Sequence, residues 1–308
     1  MSVRGKLFTV FTRKTQNINP IAYPDAIAKM KKMSEGYINE KVPKGCKLGK
    51  FSTANGSRYE IVTRNGCEGK KYILYFHGGA YVTGLLSMYR RFVMGLSENI
   101  TGVLSDYSLA PESKYPTQLD EAYDVWNDLT QNRKINPDDI IIGGDSSGGN
   151  LTLAFMLRLR DDGRKMPCGC FLLSPWTDML MTGKSYDTHY CDDAQIGEYK
   201  AVLTEEKRRK LINSDLFCFV GDGDRKNPYI SPLYGEFIGF PPVFFCVGEN
   251  EMLLDDTLAV KAKMDRSGIH TVLEKQPKMF HTYILCMNSM PESKRSYNEL
   301  KKFVKELI

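Results

Sequence analysis

Short apolar runs alternate with amphipathic stretches along the chain from about residue 70 onward. The runs have the length and composition of buried strands, and the amphipathic stretches repeat their apolar residues with a helical period. Strands are predicted at Lys71 to Phe76, Thr101 to Tyr107, Asp139 to Gly144, Cys168 to Leu173, Pro242 to Val247 and His270 to Lys275. Helices are predicted at Met88 to Asn99, Thr117 to Gln131, Gly149 to Leu159, Leu253 to Arg266 and Glu292 to Leu307. This alternation predicts an α/β fold with a mostly parallel central sheet and helices on both faces.

Two stretches do not follow the alternation. Residues 1 to about 50 carry an isolated helical pattern around Ile21 to Met33, and residues 179–230 are polar, tyrosine-rich and irregular. Because 308 residues is an ordinary length for one α/β domain, we expect a single domain over residues 1–308. The two stretches are expected to fold over one face of the sheet. Chemistry in such sheets gathers where the strands end, so the residues after each strand are the candidates.

The strongest motif is Gly144-Asp145-Ser146-Ser147-Gly148, a G-x-S-x-G element between a predicted strand and a predicted helix. A nucleophilic serine in this context occupies a sharp turn with strained backbone angles. Glycines on either side remove the Cβ atoms that would meet the neighbouring strand and helix. Ser146 is therefore the predicted nucleophile.

A second motif, His77-Gly78-Gly79-Ala80, follows the strand that ends at Phe76. Two consecutive glycines allow backbone N–H groups to face a cleft. We expect the N–H groups of Gly78 and Gly79 to bind an oxyanion together with that of Ser147, the residue after the nucleophile.

Elimination selects the histidine. The order in α/β-hydrolase chains is serine, acid, histidine, and His77 precedes the serine. His189 lies in the irregular stretch, and His270 begins a strand, which puts it at the opposite edge of the sheet. His281 follows that strand and is the predicted general base.

The acid is less constrained by position. Glu249, Glu251, Asp255 and Asp256 all follow the strand that ends at Val247. Asp255 and Asp256 fall inside the next predicted helix, where first-turn carboxylates interact favourably with the helix dipole. Position alone leaves the four candidates open.

Several blocks resemble the hormone-sensitive-lipase-like family of α/β-hydrolases, which includes arylacetamide-deacetylase-like enzymes. They are Phe76-His77-Gly78-Gly79-Ala80, Tyr107-Ser108-Leu109-Ala110-Pro111-Glu112 with Tyr115-Pro116, Gly144-Asp145-Ser146-Ser147-Gly148-Gly149, Ser174-Pro175-Trp176 and Ser231-Pro232-Leu233. The resemblance covers roughly residues 71–283. It implies an α/β-hydrolase fold with a helical cap formed by residues 1–50 and 179–230.

The resemblance also selects the acid. The family's G-x-x-D-x-L-x-D block aligns with the segment from Gly248 to Asp255, so it implies that Glu251 is the triad acid, one methylene longer than the usual aspartate. Ala80 stands where the family has the last glycine of HGGG, and Ser147 stands where its elbow has alanine.

Composition excludes several classes of partner. The net charge is only +5, and the basic run Lys207 to Lys210 follows Glu205-Glu206 on a predicted helix, so we expect no nucleic-acid partner. The eight cysteines form no CxxC pair and no zinc spacing. No metal site and no cofactor are expected, since triad chemistry needs neither.

No apolar run approaches the ~18 residues of a membrane span. The apolar patch from Leu7 to Phe11 is too short for the core of a signal peptide, so the expected location is the cytoplasm, without stable membrane association. A homodimer stays open.

Together the motifs and the resemblance predict a carboxylesterase that acts on short- to medium-chain esters through an acyl-enzyme. An amidase or arylacetamide-type deacetylase is the alternative enzyme. A non-catalytic ligand-binding protein on the same fold is the third hypothesis, disfavoured because Ser146, Glu251 and His281 are all present.

Overall fold

The computed structural model of the protein describes residues 1–37, 41–66 and 71–308. Its strands are β1 (Cys46–Ser52), β2 (Arg58–Arg64), β3 (Lys71–Phe76), β4 (Ile100–Ser105), β5 (Ile140–Asp145), β6 (Gly169–Leu173), β7 (Val243–Gly248) and β8 (Thr271–Gln276). Within the described residues they form one eight-stranded sheet in the order β1-β2-β4-β3-β5-β6-β7-β8. The strands from β4 to β8 along this order pair in parallel, so their carboxyl ends share one edge.

The first two strands were not predicted. β1 and β2 form an antiparallel hairpin, and β2 also pairs antiparallel with β4, so the hairpin extends the edge of the parallel sheet. β1 is half-exposed along its length, which is why it lacks an apolar run. Its residues 46–50 belong to the sheet, although they fall within the predicted cap stretch of residues 1–50. Residues 38–40 of that stretch lie outside the described residues.

Helices flank both faces of the sheet. Along the chain they are α1 (Val3–Thr15), α2 (Ala26–Tyr37), α3 (Ser87–Met94), α4 (Thr117–Asn127), α5 (Ser147–Asp161), α6 (Ser185–Thr188), α7 (Glu205–Ile212), α8 (Leu254–Arg266) and α9 (Pro291–Leu307). One apolar core gathers residues of α4, α5 and α8 against the sheet, and a second gathers residues of α3 and α9. This is the predicted α/β-hydrolase architecture.

The central strands are buried on both faces, which explains their continuous apolar runs. Ile140, Ile141 and Ile142 of β5 are all fully buried. Ile140 and Ile142 belong to one core and Ile141 to the other, because successive side chains of a strand point to opposite faces. β5 therefore lies in the middle of the molecule, and the residue that follows it is held by both layers.

Candidate active site

Ser146 occupies the turn between β5 and α5. Its backbone angles are φ +53° and ψ −119°, a strained combination for a residue with a side chain. Its N–H donates to the Leu173 carbonyl (2.9 Å), and its own carbonyl accepts from the Trp176 N–H (3.1 Å). These bonds hold the turn so that the side chain points away from the sheet edge.

The glycines on either side of Ser146 are required by close backbone approach. A Cβ on Gly148 would overlap the Phe76 carbonyl oxygen, and a Cβ on Gly144 would overlap the Gly148 carbonyl. Helix α5 therefore starts directly against β3. The sequence analysis predicted this packing, since it expected both glycines to avoid Cβ overlap with the neighbouring strand and helix.

The side chains of Ser146, His281 and Glu251 form one hydrogen-bonded chain. Ser146 Oγ lies 2.9 Å from His281 Nε2, and His281 Nδ1 lies 3.1 Å from Glu251 Oε2. With the ring proton on Nδ1, the imidazole donates to the carboxylate and accepts from the serine hydroxyl. Ser146 follows β5, Glu251 follows β7 and His281 follows β8, so parallel strands bring the three residues to one edge.

The other candidate acids point elsewhere. Glu249 makes an exposed ion pair with Lys275 (2.9 Å). Asp255 Oδ2 accepts from the Ser185 N–H (2.9 Å), and Asp256 Oδ2 accepts from the backbone of the segment after Trp176. Both aspartates lie in the first turn of α8, as predicted. Of the four candidates, the structure brings Glu251 to His281.

Ser174 links the loops that carry the acid and the histidine. Its hydroxyl donates to Glu251 Oε1 (2.8 Å) and accepts from the Thr282 N–H (3.2 Å). The Gly248 N–H also donates to Glu251 Oε1. Sequence reasoning noted the block that begins at Ser174 but gave this residue no role. The sequence feature that could have indicated a role is its position: Ser174 is a polar residue directly after β6, the strand beside β5.

Asp193 is a second buried carboxylate near these side chains, contributed by the irregular stretch 179–230. Its Oδ2 accepts from the N–H of Met252, the residue after Glu251 (3.0 Å). Its Oδ1 accepts from the Gln195 N–H (2.9 Å). Asp193 thus ties an irregular segment to the acid loop. The sequence carried no signal for it, because nothing local distinguishes it from the neighbouring Asp192.

Burial sets the protonation of the histidine. His281 is 2% exposed, and burial lowers its pKa below the usual 6.5, while the Asp193 and Asp145 carboxylates act in the opposite direction. Its neutral form, which can accept a proton, therefore dominates at neutral pH. Burial raises the pKa of Glu251 above its usual value, and the hydrogen bonds from Gly248 and Ser174 oppose this rise by stabilising the carboxylate.

The oxyanion loop differs from the sequence-based expectation at one position. The Gly78 N–H donates to Asp145 Oδ1 (2.9 Å), which also accepts from the Tyr75 hydroxyl (2.7 Å). The prediction that this N–H faces the cleft is therefore wrong for this structure. The reason is the buried Asp145 carboxylate, which needs donors and takes the nearest backbone N–H.

The next two N–H groups of the loop are differently placed. Gly79 and Ala80 both have positive φ, +115° and +53°. In the described part of the chain, no hydrogen bond from the N–H of Gly79, Ala80 or Ser147 to another protein group is found. The Ser147 hydroxyl accepts from the Tyr81 N–H (3.3 Å), which joins the oxyanion loop to the elbow. This contact gives a structural role to the serine that replaces the elbow alanine.

Two cavities meet at Ser146 and His281. One is a narrow apolar pocket of about 50 Å³, lined mainly by residues of the stretch 179–230 and of the acid loop: Ile18, Trp176, Met181, Tyr186, Ile196, Leu211, Leu216, Phe217, Met252 and Leu253. The other is an open cleft of about 700 Å³ that Gly79, Ala80 and residues of α1 and α2 also line. A bound ester can therefore place its two halves in different environments.

Among the described residues, no group of three or more His, Cys, Asp or Glu side chains is arranged to hold a metal ion. No helix within the described ranges is long and apolar enough to cross a membrane.

Comparison with known proteins identifies the family. Residues 73–285 match the family model described as the alpha/beta hydrolase fold. The chain is 32% identical over 237 residues to an esterase of Acinetobacter venetianus, which covers 76% of this chain and 75% of that protein. It is 28% identical over 262 residues to a putative acetyl-hydrolase, LipR, of Mycobacterium tuberculosis, covering 84% of this chain and 80% of that protein.

Solved structures agree in fold over the whole chain. A crystal structure of EstE5 soaked with ethyl alcohol superposes with a TM-score of 0.86 at 28% identity, covering 100% of this chain and 99% of that one. An esterase from the bacterial hormone-sensitive lipase family superposes with a TM-score of 0.85 at 25% identity, with the same coverage. The chain therefore belongs to the α/β-hydrolases and, within them, to the hormone-sensitive-lipase-like esterases.

Proposed function

We propose that this protein is a carboxylesterase that hydrolyses carboxylic esters through an acyl-enzyme formed on Ser146. The observation that carries the proposal is the hydrogen-bonded chain from Ser146 through His281 to Glu251, with distances of 2.9 and 3.1 Å. The esterase and acetyl-hydrolase names of its relatives support the same reaction class.

In the first step, Ser146 Oγ attacks the ester carbonyl carbon while its proton moves to His281 Nε2. Throughout the reaction, Glu251 accepts a hydrogen bond from His281 Nδ1–H, so it fixes the tautomer of the imidazole and stabilises the imidazolium. His281 then gives the proton to the departing alcohol. Water attacks the acyl-enzyme by the same route, and the acid is released as Ser146 recovers its proton.

The oxyanion is stabilised by backbone donors. We assign this role to the N–H groups of Gly79, Ala80 and Ser147, since Asp145 already occupies the N–H of Gly78. Such donors act mainly on the charge that develops in the transition state, which is why they accelerate the chemical step. Ala80 serves as well as a glycine here, because the donor is its backbone.

The pocket sizes support a short acyl group. The apolar pocket of about 50 Å³ is small beside a cavity of about 150 Å³ that can bind benzene, so it favours a short acyl group. Acetyl to butyryl groups therefore fit beside Trp176 without rearrangement, whereas medium chains require residues of the stretch 179–230 to move. In this proposal residues 1–37, 41–45 and 179–230 act as a cap, and the open cleft takes the alcohol. The cytoplasmic location stays a prediction, and the formation of a homodimer stays an open possibility of the sequence analysis.

The test is an acyl series of p-nitrophenyl esters from acetate to octanoate with purified wild-type protein and Ser146→Ala. We expect kcat/KM to peak at acetate to butyrate, and Ser146→Ala to lose at least about three orders of magnitude in kcat while its melting temperature is unchanged. The matched p-nitroanilide tests the amidase alternative. Near-wild-type turnover by pure Ser146→Ala would refute the proposal. A folded wild type without turnover of any ester or anilide would favour a ligand-binding protein.

A further inference from the structure

Helix α1 carries four of its five large apolar side chains on the solvent side, and the fifth, Phe8, packs against the core. Val3 is 75% exposed, Leu7 65%, and Val10 and Phe11 52% each. At 3.6 residues per turn, these four positions fall on one face of the helix. The buried residues of α1 are Gly5 and Thr12, which are small or polar. Most apolar side chains of α1 therefore face away from the protein, unlike those of an ordinary surface helix, whose apolar face packs on the protein.

The helix is nevertheless held firmly at both ends. At its start, the backbone N–H and the hydroxyl of Ser2 both donate to the Glu292 carboxylate of α9. At its end, the Arg13 guanidinium donates to the Asp192 carbonyl (2.9 Å). Just beyond it, the Asn17 amide donates to the carbonyls of Ala194 (3.1 Å) and Gly197 (2.8 Å). The outward direction of the apolar face is therefore fixed by the fold.

An exposed aromatic ring contacts the end of the helix, and an exposed valine follows it in the chain. Tyr199 is 59% exposed and Val202 73% exposed, and the Arg13 guanidinium lies 4.4 Å from the centre of the Tyr199 ring. We call these side chains the entrance patch: Val3, Leu7, Val10, Phe11, Tyr199 and Val202. Lys14, in the last turn of α1, lines the open cleft that leads to Ser146. Contiguous exposed apolar surface of this kind marks an interaction site.

Charge identifies the partner. α1 carries Arg4, Lys6, Arg13 and Lys14 and contains no Asp or Glu. The nearby Glu198 is already paired with Lys207 (2.6 Å). Two copies of this helix placed face to face would bring like charges together, whereas an anionic lipid surface attracts all four. Exposed apolar side chains flanked by lysine and arginine are typical of helices that lie in the plane of a membrane interface.

We propose that the entrance patch docks reversibly on an anionic lipid surface, with α1 in the plane of the interface. In this orientation the open cleft faces the lipid, so esters dissolved in the interface reach Ser146 without crossing bulk water. The docking adds to hydrolysis and does not depend on it, because no residue of the patch belongs to the triad or to the oxyanion loop.

The test is co-sedimentation of the full chain with vesicles of phosphatidylcholine alone and of phosphatidylcholine mixed with phosphatidylglycerol, at low and high salt. We expect binding to the mixed vesicles at low salt, with loss of binding at high salt. Arg4→Gln with Lys6→Gln should weaken partitioning about fivefold for each charge removed. Leu7→Ser with Phe11→Ser should weaken it by at least about tenfold. Ile238→Ser is the matched control, since Ile238 is 68% exposed but lies outside the patch, and it should bind as the wild type does.

All variants should keep the wild-type kcat on a water-soluble ester and the wild-type melting temperature, which excludes misfolding as the cause of lost binding. Equal binding by Leu7→Ser with Phe11→Ser and by wild type would overturn the proposal. Absence of wild-type binding to the mixed vesicles at low salt would do so as well. A protein dimer that the same two substitutions dissociate, seen by sedimentation velocity, would assign the patch to a second copy instead.

Discussion

Replacing Glu251 by glutamine tests the triad at its least familiar member. The amide has the same size, and its oxygen can keep the hydrogen bonds from Ser174 and from the Gly248 N–H. Its NH2 group then faces His281 Nδ1, which must become an acceptor. The ring proton moves to Nε2 and faces Ser146, so the imidazole can no longer accept the serine proton. An equivalent tautomer error in a serine protease lowers kcat by about 10⁴, or about 5 kcal/mol of transition-state stabilisation.

We expect a loss of that order in kcat for Glu251→Gln, with little change in KM for a p-nitrophenyl ester. Asp255→Asn is the matched control, because it also removes one carboxylate from the acid block. Asp255 accepts from the Ser185 N–H and does not touch His281. Its kcat should stay within about threefold of wild type. Its melting temperature should fall by about 2 °C, because weakening one hydrogen bond lowers the free energy of unfolding of a chain of this size by about 1 kcal/mol. A Glu251→Gln protein with wild-type kcat, or an inactive but stable Asp255→Asn, would refute the assignment of the acid.

Three further predictions follow from buried ionisable groups. The value of kcat/KM should fall with a single ionisation as pH decreases, with a midpoint below 6.5, because burial lowers the pKa of His281 and only its neutral form accepts the serine proton. Asp193→Asn should move that midpoint further down, by on the order of one pH unit, since the Asp193 carboxylate favours the imidazolium; an unchanged pH profile would contradict this. Burial raises the pKa of Asp256 to about 8, so the folded protein holds a proton that the unfolded chain has lost between about pH 4 and pH 8. The free energy of unfolding should therefore fall as pH rises through this window, and Asp256→Asn should flatten that slope in melting temperatures measured at about pH 5 and about pH 8.5.

The sequence predicted the parallel part of the sheet closely because those strands are buried on both faces. The prediction for β3 has the observed bounds, and those for β5 and β7 differ by one residue at each end. The helix α3 is shorter than predicted, since the segment turns at Gly95 instead of continuing to Asn99. The apolar runs of the parallel strands are easy to recognise because the side chains on each face of these strands pack into a core.

Two of the elements that the sequence missed, β1 and α1, have patterns that are set by solvent. β1 is an edge strand with no apolar run, and α1 faces solvent with most of its large apolar residues, so neither has the alternation that burial imposes. Period-based reasoning assumes that apolar residues face the protein. Where they face outward, as Leu7 and Phe11 do, the periodicity gives no indication of what the segment packs against.

The active site shows a similar division. The positions of Ser146 and His281 were predictable because they follow from strand order: Ser146 comes directly after β5, and His281 lies in the loop after β8. The hydrogen bond of the Gly78 N–H could not be predicted, since its partner is a carboxylate from another strand. Ser174 and Asp193 were not predicted, because their contacts join loops that are far apart in the sequence.

These loop contacts explain how a glutamate can occupy the acid position. Glu251 lies three residues beyond the end of β7, and Oε1 turns back to the Gly248 N–H and the Ser174 hydroxyl while Oε2 reaches His281. The longer side chain spans both sets of donors. An aspartate at the same backbone position is one methylene shorter, so it must give up one set or draw the loop inward. Asp193 opposes such a movement, because it binds the N–H of Met252, the next residue. The glutamate and the buried aspartate therefore belong to one arrangement, in which the irregular segment fixes the acid loop at the distance that the longer carboxylate requires.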